Sequence, residues 1–196
     1  MGQFECITVE GKHGLLVGYT NDPHPDKAVA GLGTTYETLK IGVKPYPSCR
    51  YTHAAIDALI AMRREHNLTP DQIRKVEIGL HRNGITLTGD AATKRHPTSV
   101  VGGQFSMFFT GAIALDQGHF GWDDYDRLGD KAIDALADKF DVVQDDRLEV
   151  GRTHPFGARV SITTDDGTKY DAKVIGTDPK TDIALIKVEG KRDFPY

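Results

Sequence analysis

Cysteine is scarce in this chain of 196 residues, where only Cys6 and Cys49 occur, far apart in sequence. This excludes a disulfide framework, and the chain also lacks a Cys-x-x-Cys motif. Hydrophobic residues never run long enough for a membrane span or, near the amino terminus, for a signal peptide. We therefore expect a soluble protein of a reducing, cytoplasmic compartment that does not bind membranes.

An excess of positive charge is also missing. The chain has 24 Lys and Arg against 28 Asp and Glu, a formal net charge of -4, and it lacks the basic surface typical of nucleic-acid binding. Its eight histidines form no His-Glu-x-x-His motif and show no ligand spacing, so we predict no metal site. Gly31 and Gly33 lack the third glycine of a dinucleotide fingerprint. We expect no cofactor.

The most informative stretch is residues 44–67, with the sequence KPYPSCRYTHAAIDALIAMRREHN. Its two prolines hold the backbone extended and exclude a helix until they are passed. From about Thr52 the apolar residues recur at helical spacing, which predicts an amphipathic helix with a left-handed end at Asn67. Ser48 or Thr52 suits the cap of its first turn.

Polar and ionisable side chains crowd the start of this predicted helix, namely Lys44, Ser48, Cys49, Arg50 and His53. The free N–H groups of a first turn and the helix dipole attract anions. Two interpretations of Cys49 stay open at this point: a nucleophile, or a small hydrophobic residue packed in the core. The cations and the helix start together predict a site for a carboxylate.

The rest of the chain mixes strand and helix patterns. Strands are predicted by alternation at residues 36–43, 75–80, 140–143, 158–162, 170–174 and 183–188. Helices are predicted at 15–17, at 99–117 with a stop at Gly118, and from Asp123 through Leu136. Short motifs predict a capping box at 69–72, a hairpin turn at 83–84 and another at 165–167. The fold class expected is α/β (α+β), with a β-hairpin-rich C-terminal extension.

The run KPYPSCRYTHAAIDAL, residues 44–59, closely resembles a signature of the MmgE/PrpD superfamily, which contains 2-methylcitrate dehydratase, cis-aconitate decarboxylase and iminodisuccinate epimerase. Four further segments support the resemblance: EGKHGLLVGY (10–19), GLGTTYE (31–37), KRHPTSVVGGQFSMFF (94–109) and GWDDY (121–125). It covers about residues 8–160. It implies that residues 1–157 form the family's small, two-layer, lid-type domain, which in active members closes over a helical domain.

The resemblance also implies a reaction. Such enzymes remove a proton next to a carboxylate of a di- or tricarboxylic acid, as dehydratases, decarboxylases or epimerases. The catalytic residues implied by position are Lys44, Cys49 and His53, and the candidate substrate-binding residues around them are Ser48, Arg50, Lys94 and Arg95. Because catalysis needs groups from both domains, we expect a fragment that is inactive alone and works as a homodimer or with a partner chain supplying the helical domain.

A second resemblance concerns residues 165–196. The run DDGTKYDAKVIGTDPKTDIALIKVEG (165–190) looks like part of HtrA (DegP-type) serine proteases, and Asp182 falls at the position of their catalytic aspartate. A triad also needs a histidine and a serine, and the motifs that carry them in that family do not occur. We interpret residues 158–196 as a separate β segment of a chimera. A protease fragment and a non-catalytic interaction module are the alternatives.

Overall fold

A computed structural model of the protein describes residues 11, 14–149, 156–177 and 184–189. The chain divides into two compact units, Met1–Ile41 and Gly42–Tyr196. The first unit contains helices α1 (Leu15–Tyr19) and α2 (Pro25–Ala28) and a 3-10 turn (Glu37–Lys40). The predicted helix at 15–17 is therefore confirmed.

The second unit contains the remaining described elements. They are α3 (Arg50–His66), β1 (Ile73–Leu80), α4 (Arg82–Gly84), α5 (Ala91–Lys94), α6 (Val100–Gln104), α7 (Met107–Gln117), α8 (Lys131–Ala137), β2 (Phe140–Gln144), β3 (Ala158–Thr164), β4 (Lys169–Thr177) and β5 (Ala184–Glu189). Short 3-10 turns cover Pro70–Gln72, Asp123–Arg127 and Asp146–Leu148, and a π-helical turn covers Ile85–Gly89.

The described strands form one mixed sheet in the order β2-β1-β3-β4-β5. β1 pairs with β2 in parallel, while the other neighbours pair in the antiparallel sense. Alternate residues of β3 are buried, and α3 and α7 pack against this buried side through contacts with β3, β4 and β2. This is a two-layer α+β arrangement, so the predicted fold class is confirmed.

Several local predictions are confirmed. The amphipathic pattern forms α3, which ends at Asn67 in the left-handed conformation with φ of 50°. Thr69 and Gln72 form the predicted capping box. The predicted strands at 75–80 and 140–143 and the C-terminal hairpin and strand correspond to β1 to β5, and Gly167 takes up the positive φ of 86° in the hairpin turn.

Two strand-type predictions are wrong. Residues 36–43 form a 3-10 turn and irregular chain instead of a strand. Leu39 is 87% exposed, so no sheet buries the alternating apolar side chains of this segment. The predicted hairpin turn at 83–84 is helical, because the Asn83 amide donates to the His81 ring and α4 packs closely. A Cβ added to Gly84 would lie 3.2 Å from the Tyr51 ring.

Two predicted helices are interrupted. The helix at 99–117 breaks before Ser106, whose hydroxyl accepts from the Phe109 amide and starts α7 separately from α6. Gly118 ends α7 as predicted, with φ of 76°. The helix expected from Asp123 onward is divided as well, because Gly129 has φ of 79° and Asp130 caps α8.

Some predictions stay predictions. One is the domain boundary between residues 157 and 158, which separates two sequence families. β3 and β4 continue the sheet that contains β1. This pairing does not test the boundary, because two sequence families can meet inside one folded unit. Asp182 lies outside the described residues. Within the described ranges, every helix is too short or too polar to cross a bilayer.

Candidate functional site

The Pro-Tyr-Pro corner, residues 45–47, leads directly into α3. Cys49 is the N-cap residue, with extended backbone and no side-chain cap bond. The predicted cap by Ser48 or Thr52 is therefore wrong. The Thr52 hydroxyl instead donates to the Cys49 carbonyl at 2.8 Å, which leaves the Ser48 hydroxyl to donate to Thr52 Oγ1 at 2.8 Å. This local network fixes the backbone at the helix start.

Lys44 and His53 meet at one atom, the carbonyl oxygen of Ser48. Lys44 Nζ donates to it at 3.1 Å, and His53 Nε2 lies 3.3 Å from it. Lys44 is exposed, whereas the His53 side chain is buried in the first turns of α3. Since a carbonyl oxygen only accepts, the second contact is a hydrogen bond in the tautomer that carries the proton on Nε2. The structure thus brings two of the predicted catalytic residues together.

Tyr46 supports this pair from within the corner. Its ring meets the His53 ring edge-on, with centroids 5.4 Å apart, and its hydroxyl donates to Asp57 at 2.5 Å. Burial and the neighbouring Asp57 carboxylate raise the pKa of Tyr46 well above its usual range, so the hydroxyl stays protonated. Sequence reasoning missed both residues, although Asp57 follows His53 at a spacing of four, on the same helix face.

Cys49 and Ser48 lie beneath the surface. Both are buried, and Cys49 is a free cysteine whose amide donates to the Gln104 carbonyl at 2.8 Å. This bond ties the corner to α6. A packed position is what the second interpretation of Cys49 requires, and its catalytic assignment stays a prediction.

Tyr125 anchors the corner from the other side. Its hydroxyl donates to the Pro47 carbonyl at 2.7 Å, and its buried ring stacks on Phe109 with centroids 5.9 Å apart. A Cβ on Gly103 would lie 3.0 Å from this ring, so the close approach of α6 depends on that glycine. Burial raises the pKa of Tyr125. The segments 44–59, 94–109 and 121–125, which carry the family resemblance, therefore converge at one corner.

The remaining candidate residues have other contacts. Arg50 lies over the Phe156 ring, 4.5 Å from its centroid. The Arg95 guanidinium donates to the carbonyls of Ala137 at 2.7 Å and Phe140 at 2.9 Å, where α8 leads into β2. The Lys94 carbonyl accepts from Ser106. These contacts give Arg95 and the Lys94 backbone structural functions, and substrate binding by these residues stays a prediction.

Removing the Tyr125 hydroxyl tests whether the anchor matters. We expect Tyr125→Phe to lower the free energy of unfolding by about 1 kcal/mol, because the half-buried Pro47 carbonyl loses its donor. Urea denaturation measures this change. Tyr36→Phe is the matched control, since Tyr36 is 61% exposed. An equal effect of the two substitutions would contradict the anchoring function of Tyr125.

Comparison with known proteins identifies the family of the chain. The family model described as the MmgE/PrpD C-terminal domain matches residues 46–180. The "Cis-aconitate decarboxylase-like protein oryM" of Aspergillus oryzae is 27% identical over 172 residues, which are 83% of this chain and 35% of that protein. The chain thus spans about a third of that relative's length.

Short matches to proteins of another family accompany it. A "Probable periplasmic serine endoprotease DegP-like" protein of Bartonella henselae is 52% identical over 40 residues, 20% of this chain and 8% of that protein. The protein of the same description from Brucella suis is 41% identical over 58 residues, 28% of this chain and 11% of that protein. The match to the first family covers more than half of the chain and includes strands β1 to β4 and both large helices. The chain therefore belongs to the MmgE/PrpD C-terminal domain family.

Proposed function

We propose that this chain provides the carboxylate-binding wall of an active site in a lyase or isomerase that acts on di- or tricarboxylic acids. The observation that supports this most is the meeting of Lys44 and His53 at the Ser48 carbonyl. The family to which the chain belongs and its decarboxylase-like relative favour the same class of reaction.

Lys44 is suited to hold a substrate carboxylate. An ammonium group has three donors, and one of them is directed at the Ser48 carbonyl, so the others can face a ligand at the exposed surface. Loss of a proton next to a carboxylate builds up negative charge on that carboxylate, and a fixed cation stabilises it. Lys44 would therefore contribute both to binding and to the stability of the intermediate.

His53 is the candidate acid or base beneath it. Imidazole exchanges a proton near neutral pH, which suits proton transfer at a carbon next to a carboxylate. Its ring is held by the Ser48 carbonyl and by the Tyr46 ring. A fixed ring has a defined direction for proton transfer.

The opposite wall is proposed to come from a helical domain, in the same polypeptide or in a partner chain. A tricarboxylate needs several cations, and Arg95 already donates to two backbone carbonyls. Because catalysis depends on groups positioned on both sides of the substrate, the present chain alone should bind acids weakly and not turn them over.

The test is a titration of the isotope-labelled chain with citrate, followed by NMR. We expect shifts at residues 44–53, and about tenfold weaker binding for Lys44→Ala, since a hydrogen-bonded charge is lost. Lys131→Ala is the matched control, because this lysine is exposed at the start of α8. Equal citrate affinities for the two variants would contradict the proposal.

A turnover assay separates binding from catalysis. Incubating the chain with 2-methylcitrate or cis-aconitate should yield no product. Product formation that disappears in Lys44→Ala would show that the chain is active by itself, while leaving the assignment of Lys44 intact.

The protease alternative has less support. Similarity to DegP-like proteins extends over 40 and 58 residues in the relatives named above, and Asp182 lies outside the described residues. A triad aspartate acts only by orienting a histidine that activates a serine. The alternative of an interaction module rests on β5, an edge strand among the described strands, which could pair with another chain.

A further inference from the structure

A polar cleft of about 460 Å³ lies over β1, β3, β4, the end of β2 and the segment that follows β2. Its lining includes Gly79, Asp145, Arg147, Arg159 and Ser161. None of the residues proposed above to bind or transform an acid lines this cleft. The function proposed above therefore does not account for this cleft.

Asp145 forms the charged floor of the cleft. Its side chain is only 6% exposed, and it accepts two hydrogen bonds from the Arg147 guanidinium, both at 2.7 Å. Arg159 Nε lies 3.1 Å from the second carboxylate oxygen. The hydrogen bonds from Arg147 hold the pKa of Asp145 below its usual range, so the carboxylate is ionised at neutral pH. One buried anion thus orients two guanidinium groups.

The backbone makes room for this arrangement at one position. A Cβ on Gly79 would lie 2.9 Å from the Asp145 Cβ. Any other residue at this point of β1 would displace Asp145, and with it both arginines. The glycine permits a carboxylate to be buried against the sheet.

Asp145 and the two arginines that contact it carry a local net charge of +1, whereas the whole lining has four carboxylates, including Asp146 and Asp171, against three cations. Glu77 lies 3.5 Å from Lys75, which also contacts Asp141, and Asp171 lies 3.5 Å from Lys169. Asp146 accepts from the Gln144 amide at 2.9 Å. Because Asp145 occupies only one edge of each guanidinium, other N–H groups of both arginines can serve a ligand.

Ser161 provides an independent indication of a ligand. It lies two residues after Arg159 on β3, and therefore on the same face of the sheet. Its hydroxyl oxygen is shielded from solvent and has no hydrogen-bond partner. A buried hydroxyl without a partner is unfavourable, so a polar group entering the cleft would satisfy it.

We propose that this cleft is a second anion site, in which Arg159 and Arg147 bind the carboxylate or phosphate group of a small molecule and the Ser161 hydroxyl is a further donor. Guanidinium groups bind both kinds of oxyanion in the same forked geometry. The site is separate from the Pro-Tyr-Pro corner, so this proposal does not depend on the function proposed for Lys44.

The experiment is a titration of the full chain with inorganic phosphate and, in a parallel arm, with acetate, both at constant ionic strength. NMR shifts of β3 amides report the binding. We expect Arg159→Ala to weaken binding about tenfold or more, since charge-assisted hydrogen bonds are lost. Arg74→Ala is the matched control, because this exposed arginine of β1 does not line the cleft.

The anion that binds identifies the class of ligand. Binding of phosphate but not acetate would assign the site to phosphorylated molecules, and binding of acetate would assign it to carboxylates. Equal affinities for Arg159→Ala and Arg74→Ala, or no shifts with either anion, would overturn the proposal. If Arg159→Ala does not fold, Ser161→Ala decides, with an expected loss of about threefold from one neutral hydrogen bond; unchanged affinity there would overturn it. Lys44→Ala should leave this binding unchanged.

Discussion

Replacing Arg95 with alanine should lower the free energy of unfolding by about 3 kcal/mol, because two hydrogen bonds from a charged donor are lost at once. The guanidinium donates to the carbonyls of Ala137 and Phe140 and lies over the Phe108 ring, 4.5 Å from its centroid. It therefore joins the end of α8 and the start of β2 to the helix layer. Urea denaturation followed by circular dichroism measures the change.

Lys94→Ala is the control for this prediction. It removes the neighbouring positive charge but keeps the Lys94 carbonyl that accepts from Ser106, so its effect should stay within about 0.5 kcal/mol. If Arg95→Ala were as stable as Lys94→Ala but bound citrate more weakly, Arg95 would be a substrate-binding residue and not a structural one.

Phe140→Ala should be still more damaging, with an expected loss of about 4 kcal/mol in the free energy of unfolding. Phe140 is fully buried at the start of β2. Its ring lies against α7, where a Cβ on Gly111 would be only 2.7 Å from the ring. In a closely packed interior, neighbouring side chains fill such a cavity only in part, so most of the loss remains.

Val143→Ala on the same strand is the comparison. Val143 is 43% exposed, so its truncation should cost less than about 1 kcal/mol. Similar losses for the two variants would mean that β2 does not pack against α7 as the structure shows.

The parts of the fold set by local patterns could be predicted from the sequence. Helix α3 follows from its amphipathic spacing, and its end follows from the tolerance of Asn67 for the left-handed conformation. The hairpin of β3 and β4 follows from alternation and from Gly167 in the turn. In these cases the residue's own preference and its neighbours in sequence determine the structure.

The failures occur where distant residues decide. At 83–84 the Asn-Gly pair is typical of a hairpin, but packing of Gly84 against Leu80 and Tyr51 favours a helical turn. Residues 99–117 are apolar and suit one helix, yet the bond from Ser106 to the Lys94 carbonyl interrupts it. Neither contact is visible in a local pattern.

In the candidate site, too, local motifs could be recognised in the sequence, whereas contacts between distant residues could not. Lys44 and His53 were found through their motif, and the corner brings them to one carbonyl. Tyr125 was part of a motif but had no predicted contact, and its bond to Pro47 joins segments 78 residues apart. Asp145 carried no motif at all, because its importance arises from burial and from Arg159, which only the fold brings to it.

The corner is held in place by two other segments of the chain. Gln104 and Tyr125 hold its backbone through the Cys49 amide and the Pro47 carbonyl. That rigidity keeps the Ser48 carbonyl in place, and Lys44 and His53 take their positions from it. Preorganisation of this kind is what a carboxylate-binding wall requires.

The most direct test of this account is a crystal structure of the chain grown with citrate. We expect a citrate carboxylate within hydrogen-bonding distance of Lys44 Nζ, on the exposed side of the Ser48 carbonyl. Citrate bound elsewhere with Lys44 still uncontacted, or a corner in which Lys44 and His53 no longer share that carbonyl, would contradict it.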